Sequence, residues 1–275
     1  MREVLLGYSS TEADGPVSLR FHWFANRQYS DVTVSEFRKM ISTLDSFGYY
    51  SVLLPYHNHL SDFLVLSAKD ISSTERIKYN IAIRPSEMSA EACARQVHSF
   101  NKIEANRLIL NIIYGSPQQI ENRGDLVENR VGLKQSADMF VEQLSCNNLF
   151  IKSNTEIIVS GNSYEALEMS RRRADYSALD LESFEREDMD SEEGKARLAA
   201  YAKVKRLMLV ADIVVTDSKE RKLFDGSNSI VGTEKEIVAK LTSLQKRGVT
   251  DILVSSHPYD RHIESLHQLI KRISS

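Results

Sequence analysis

The sequence predicts a (β/α)8 barrel, and three observations carry that expectation. About eight apolar segments of strand length alternate with segments of helical periodicity, a pattern typical of that barrel at roughly 250 residues. The strand segments are uniformly apolar, as in Val52-Leu53-Leu54-Pro55, which suits parallel strands covered on both faces. The competing architecture, an open doubly wound sheet, usually carries a glycine-rich turn after its first strand, and Trp23 to Gln28 contains no glycine. No domain boundary is visible, so residues 1–275 read as one domain.

Ser18 to Phe24 reads as the first strand, with Phe21, Trp23 and Phe24 on it. Thr33-Val34-Ser35-Glu36 is a capping box, opening a helix whose apolar face is Phe37, Met40, Ile41 and Leu44 and which Gly48 ends. After the strand at Val52, Leu60 to Ala68 is helical and Ile77 to Ile83 is a strand. Ser89 starts a helix bearing Cys93, Val97 and Phe100, and Leu108 to Ile113 is the next strand. Gly115 to Asn129 is polar, and its length suggests a working loop. A helix with Leu133, Ala137, Phe140, Val141 and Leu144 leads to strand Glu156 to Val159. Gly161 then lets the backbone turn, and Ser163 is a natural N-cap for a helix running to Arg172.

Tyr176 to Leu179 is a weak strand. Glu182 to Lys195, the most charged stretch, reads as a solvated loop and helix start. Arg206 to Val215 is a strong strand. Thr233-Glu234-Lys235-Glu236 is a second capping box, for a helix bearing Ile237, Val238, Leu241 and Leu244 and ending at Gly248. Ile252-Leu253-Val254 is the last strand, and a helix with Ile263, Leu266, Ile270 and Ile273 follows it.

Composition narrows the function classes. With 42% hydrophobic and 27% charged residues the chain can bury a sizeable core. A net charge of −3 gives no reason to expect nucleic acid. Cys93 and Cys146 form neither a disulfide framework nor a metal site, and a reducing cytoplasm is the expected compartment. No run reaches membrane-spanning length, and Val4-Leu5-Leu6 is too short for a signal-peptide core. The seven histidines make no metal-ligand spacing, so no metal is expected.

The stretch Ile157 to Ala166 has a second reading beside that of a plain strand–helix junction. Free N–H groups at a helix start, next to small hydroxyl and amide side chains, favour an anion such as a phosphate.

Several motifs resemble the bacterial luciferase-like monooxygenases. Val231-Gly232-Thr233-Glu234-Lys235-Glu236-Ile237-Val238-Ala239 and Gly248-Val249-Thr250-Asp251-Ile252-Leu253-Val254-Ser255 are similar to that family's C-terminal signature. Phe47 to Pro55, Ala82 to Ser86, Ala94-Arg95-Gln96 and Asn111 to Ser116 are similar to its alkanesulfonate monooxygenase branch. The resemblance covers most of the chain from about Ser18 onward. It implies a luciferase-like barrel that uses FMN, reduced to FMNH2 by a separate NAD(P)H-dependent flavin reductase, to bring O2 to a small organic substrate. It further implies that Gly161, Asn162 and Ser163 hold the FMN phosphate, that Ser160 also binds the cofactor, and that Asn111 lies under the flavin ring. A homodimer through barrel helices is a further expectation.

Departures from the family pattern are specific. The strand-seven Arg-x-His pair of the sulfonate branch corresponds to Val210 and Asp212, the Arg-Tyr pair before helix four to Arg130-Val131, and the branch's cysteine to Leu60. The insertion that forms the substrate lid is shortened to roughly Asp217 to Ile230. An alkanesulfonate is therefore not the expected substrate. A deazaflavin-dependent oxidoreductase of the same superfamily and a non-catalytic flavin-binding subunit stand as alternatives.

His57, His59 and Asp212 are the candidate catalytic residues. The histidines follow strand two, at the mouth of a barrel, where they could hydrogen-bond an oxygenated intermediate or move a proton; their bland reading is as surface-loop histidines. Asp212 in place of a histidine would supply an acid or base, or bind a cationic group; otherwise it bonds a neighbouring N–H. His22, Arg84 and His257 are candidates for substrate binding, against a packed histidine for His22 and a structural salt bridge for Arg84.

Overall fold

The computed structural model describes residues 19–25, 32–55, 62–113, 129–186, 192–216, 226–255 and 260–274. The strands are β1 (Arg20–Phe24), β2 (Ser51–Leu54), β3 (Lys78–Ile83), β4 (Leu108–Ile113), β5 (Glu156–Ser160), β6 (Tyr176–Asp180), β7 (Leu207–Val215), β8 (Ser229–Gly232) and β9 (Asp251–Ser255). The helices are α1 (Val34–Ser46), α2 (Phe63–Asp70), α3 (Ala90–Ile103), α4 (Asn129–Ser145), α5 (Asn148–Ser153), α6 (Tyr164–Arg173), α7 (Leu181–Glu185), α8 (Glu192–Tyr201), α9 (Glu234–Lys246) and α10 (Asp260–Ser274). Strands β1 to β7 pair in chain order, and β9 joins β7 back to β1, so eight parallel strands close on themselves. The predicted barrel is the one formed. Among the described residues no helix is long and apolar enough to cross a membrane.

The ninth strand is not predicted by the sequence. Among the described residues β8 pairs with β7 alone, from Asp212↔Ser229 to Val215↔Gly232, beyond the part of β7 that closes the barrel. Four residues are too few to show periodicity. The charged stretch read as a solvated loop and helix start contains α7 and most of the first turn of α8. Helix α5 is also unpredicted. Asn147 caps it through Leu149 N, and Asn154 ends it in the left-handed conformation at φ 50°.

Helix ends follow the local sequence closely. Thr33 and Glu36 form the first capping box, with Thr33 N donating to Glu36 Oε2 at 2.9 Å. Thr233 and Glu236 repeat it at the same distance. Gly48 (φ 84°) and Gly248 (φ 94°) take the left-handed turn after each helix. Tyr49 N then reaches Leu44 O, and Val249 N reaches Leu244 O, both at 3.2 Å. Each of these helices is therefore cut to length at both ends, which sets where β2 and β9 enter the barrel. Thr233→Ala is expected to lower stability by about 1 kcal/mol, measurable as a fall in the urea midpoint at unchanged slope.

Outward residues such as Phe21, Trp23, Val52, Tyr79 and Ile81 pack beneath the helices, while Leu53, Ala82, Ile109, Ile158, Ala178, Met208 and Leu253 form a separate inner core. With the shear that closes a barrel of this kind, the strand registers sort the inward residues into layers of four. From the N-terminal floor upward these are Arg20, Lys78, Glu156 and Arg206; Ser51, Ile109, Tyr176 and Asp251; His22, Asn80, Ile158 and Met208; Leu53, Asn111, Ala178 and Leu253; and Phe24, Ala82, Ser160 and Val210. Bulky branched residues usually fill such layers. Here the lowest layer is wholly charged, and the apolar fill begins only at Ile109 in the layer above it.

Candidate functional site

The C-terminal mouth is built on the ends of β4 to β7. At the end of β5 the chain leaves the sheet through Gly161, whose N–H donates to Ala178 O at 3.0 Å. Ser163 caps α6, its Oγ accepting from Ala166 N at 3.2 Å. Leu167 N–H donates to Ser163 O at 3.1 Å, so Ser163 holds the first turn through both its side chain and its backbone. Ser160 Oγ donates to Asn111 Oδ1 at 2.7 Å, so the neighbouring β4 and β5 ends act as one polar unit.

Asn162 is clamped from two sides. Its Nδ2 donates to Asp180 Oδ2, and its Oδ1 accepts from Asp180 N at 3.2 Å. Asp180 Oδ1 also accepts from Ser183 N at 2.6 Å, capping α7. From the other side Arg197 on α8 donates through Nη2 to Asn162 O at 2.6 Å. The turn after β5 therefore lies between a carboxylate and a guanidinium. Sequence reading misses both, because Arg197 belongs to a helix that its charged surroundings hide and Asp180 reads as the end of a weak strand.

The other predicted residues are dispersed. Asp212 points inward above Val210 on β7, with its N–H donating to Asn228 O at 2.9 Å. Asn228 Oδ1 accepts from Glu182 N at 2.8 Å, which ties the segment before β8 to the β6 end. Arg84 follows β3 and pairs with Glu87 at 3.5 Å. That salt bridge is local, within the turn leading to α3. His57, His59 and His257 lie outside the described residues.

His22 is not at the mouth, which corrects its reading as a substrate ligand. It points inward, but it sits in the middle layer, fully buried. Nε2–H donates to Asp251 Oδ1 at 2.9 Å, and Nδ1 accepts from Ser51 Oγ at 2.6 Å; the tautomer follows because a carboxylate only accepts. Both nitrogens are committed to the barrel. Asp251 also receives Arg20 Nε and Arg206 Nε, each at 2.8 Å, and Thr250 Oγ1 at 2.6 Å. Beside it Glu156 takes Lys78 Nζ at 2.7 Å, Tyr176 OH at 3.0 Å and Tyr50 OH at 3.1 Å. The Arg20 guanidinium covers the Tyr50 ring at 3.9 Å.

Protonation in this floor is perturbed in a consistent sense. Burial pushes the His22 pKa below its ordinary value, against the pull of Asp251. Burial would raise the Asp251 carboxyl, but the His22 hydrogen bond and the Arg20 charge overcome it and hold the group well below the usual carboxylate range. The floor is thus a neutral histidine and an ionised carboxylate between arginines. It fills the N-terminal half of the barrel.

No protein-family model matches the sequence. The fold is nonetheless similar to that of many solved structures. EDTA monooxygenase from Chelativorans sp. BNC1 aligns with a TM-score of 0.71 at 11% identity, over 94% of this chain and 93% of that one. The oxygenating constituent of 3,6-diketocamphane monooxygenase from Pseudomonas putida, in complex with FMN, aligns at 0.67 and 14% identity over 94% and 97%. The coenzyme F420-dependent tetrahydromethanopterin reductase from Methanopyrus kandleri aligns at 0.64 and 12% identity over 95% and 98%. The fold is the (β/α)8 barrel that these enzymes share. At such identities the likeness is one of architecture, and the alkanesulfonate branch is not singled out by it.

Proposed function

We propose that the protein is a flavin-dependent monooxygenase that binds FMN at the barrel mouth and oxygenates a small organic substrate other than an alkanesulfonate. The observation that carries the reading is the β5–α6 turn, where the N-terminal end of α6, its Ser163 cap and the Arg197 guanidinium stand together next to the Asn111–Ser160 pair. Such a set suits a phosphate joined to a planar ring. Gly161 serves through its turn, since its own N–H is engaged by Ala178. Reduced flavin, delivered by a separate reductase, would supply the electrons for O2 chemistry. The residues of this chain hold the phosphate, orient the ring over Asn111 and place Asp212 at the rim; His57 and His59 complete the catalytic set in this reading.

The test begins with binding. Apo-protein is expected to bind FMN more tightly than riboflavin, which lacks the phosphate. A charge-assisted hydrogen bond contributes about 1.5–3 kcal/mol, so Arg197→Ala is expected to weaken FMN by roughly 10- to 150-fold and riboflavin hardly at all. Equal affinity of the unmodified protein for the two flavins would remove the phosphate cradle from the reading. Activity is then assayed with a flavin reductase, NADH and candidate substrates, following O2 incorporation into product. The similarity to an F420-dependent reductase keeps a deazaflavin as the second reading, and the absorbance spectrum of cofactor retained by the purified protein separates it from FMN.

A further inference from the structure

At the N-terminal floor of the barrel three cations meet two carboxylates, and the pairing is incomplete. Asp251 is saturated: Oδ1 accepts from Arg20 Nε and His22 Nε2, and Oδ2 accepts from Arg206 Nε and Thr250 Oγ1. Glu156 is engaged at both oxygens, Oε1 by Tyr176 OH and Oε2 by Lys78 Nζ, with Tyr50 OH shared between them. With His22 neutral, Arg20, Lys78 and Arg206 leave this floor with one positive charge in excess. Lys205, next to Arg206 in the chain, is taken by Asp175 at 2.9 Å.

The unspent donors lie together. Arg206 commits Nε alone, so both of its terminal nitrogens have no acceptor among the described residues. Arg20 commits Nε and Nη2, which leaves Nη1. None of these three nitrogens is sealed from solvent, and the Arg20, Arg206 and Lys78 side chains are 22%, 27% and 19% exposed, so an ion reaches them from outside the barrel. The two guanidinium groups are neighbours because they bond the two oxygens of one carboxylate. Tyrosine rings hold them in place: Arg20 lies 3.9 Å from the Tyr50 centroid, and Arg206 5.8 Å from that of Tyr176. Largely desolvated cations without a full set of acceptors are unfavourable. The outer edge of Arg206 is a fork of parallel N–H groups, which matches two oxygens of one oxyanion.

We propose that the N-terminal floor is a second binding site, for a small oxyanion such as sulfate or inorganic phosphate, held by the terminal nitrogens of Arg20 and Arg206 with Lys78 beside them. The bound anion offsets the excess charge and completes the guanidinium hydrogen bonds that Asp251 leaves unmade. It ties β1, β3 and β7 together from below, so its occupancy stabilises the closed barrel. The site lies at the opposite end of the strands from the β5–α6 turn and does not rest on the flavin reading.

The probes are sulfate and inorganic phosphate, with chloride at equal ionic strength as the control. In the unmodified protein the melting temperature is expected to rise with either oxyanion along a saturating curve, as for a ligand that binds the folded state alone, and to stay level in chloride. Arg206→Gln brings cations and carboxylates into balance and removes the fork, so the apparent affinity for sulfate should fall roughly tenfold or more. Lys78→Gln serves as a second variant should Arg206→Gln fail to fold, with a change in the same direction. Arg197→Ala, which alters the turn at the mouth, should keep the sulfate response. No saturating rise in the unmodified protein, an equal rise in chloride, or a response that survives both floor variants would overturn the site. A response lost in Arg197→Ala and kept in Arg206→Gln would place the anion at the mouth and overturn it as well.

Discussion

Asp251→Asn is expected to destabilise the protein by roughly 3 kcal/mol, although the replacement is nearly isosteric. Asp251 is fully buried and is the common acceptor for His22, Arg20, Arg206 and Thr250. Removing one member of a buried ion pair typically costs about 3–5 kcal/mol, because the remaining charge stays desolvated. Here the lower end applies: the Arg20 and Arg206 side chains are 22% and 27% exposed, so each guanidinium keeps some water. At about 2–4 °C per kcal/mol for a domain approaching this size, the melting temperature should fall by on the order of 10 °C. Thermal unfolding of Asp251→Asn beside Arg206→Gln checks the assignment. The aspartate variant should be the less stable of the two, since it strands two arginines and a histidine, whereas the arginine variant removes one of several cations. A shift within a degree or two for Asp251→Asn would mean that the floor adds little to stability.

That floor also shows which parts of the molecule are legible in the chain. Local devices are read directly. The two Thr-x-x-Glu boxes and the glycines at 48 and 248 announce their helices because each acts within a few residues of itself. Closure of the barrel is legible from the count of apolar segments, since parallel strands covered on both faces leave uniform apolar runs. The charged interior is not. His22 and Asp251 are 229 positions apart, and the inward residues of each strand are interleaved with outward apolar ones that dominate the pattern. Parity does direct His22 into the barrel, but depth depends on register, which only the paired strands reveal.

The mouth divides in the same way. The turn from Ile157 to Ala166 is recognisable because glycine, an amide and a capping serine stand together in sequence. Its charged flanks come from elsewhere. Arg197 is delivered by α8 and Asp180 by the end of β6, and neither bears a local signal for the turn it contacts.

Stability is expected to decline with acid well before the ordinary carboxylates titrate, and the sign follows from the histidines. The folded pKa of His22 lies below its ordinary value, first because of burial and further because of Arg20 and Arg206. That of His267, packed between Trp23, Phe47 and Tyr49, is likewise lowered by burial. In both cases the unfolded chain binds the proton more readily. Their contribution is therefore complete above the ordinary histidine value near 6.5 and is lost as pH falls below it. Each such proton gives a slope of up to about 1.4 kcal/mol per pH unit. Asp251, whose folded pKa is depressed, adds a second loss only at much lower pH, as the solution falls below the ordinary aspartate range. On the alkaline side Lys78, with its raised pKa, and the buried Tyr49 and Tyr176 withdraw stability only above about pH 10, where the unfolded chain begins to lose these protons. Urea unfolding at intervals from pH 8 to pH 5 should thus show a plateau and then a decline beginning near 6.5. In His22→Gln the plateau should be lower, because the glutamine cannot reproduce both imidazole contacts, and the acid slope should be smaller by about one proton. An unchanged slope in that variant would assign the acid sensitivity to other groups and leave His22 a packing residue alone.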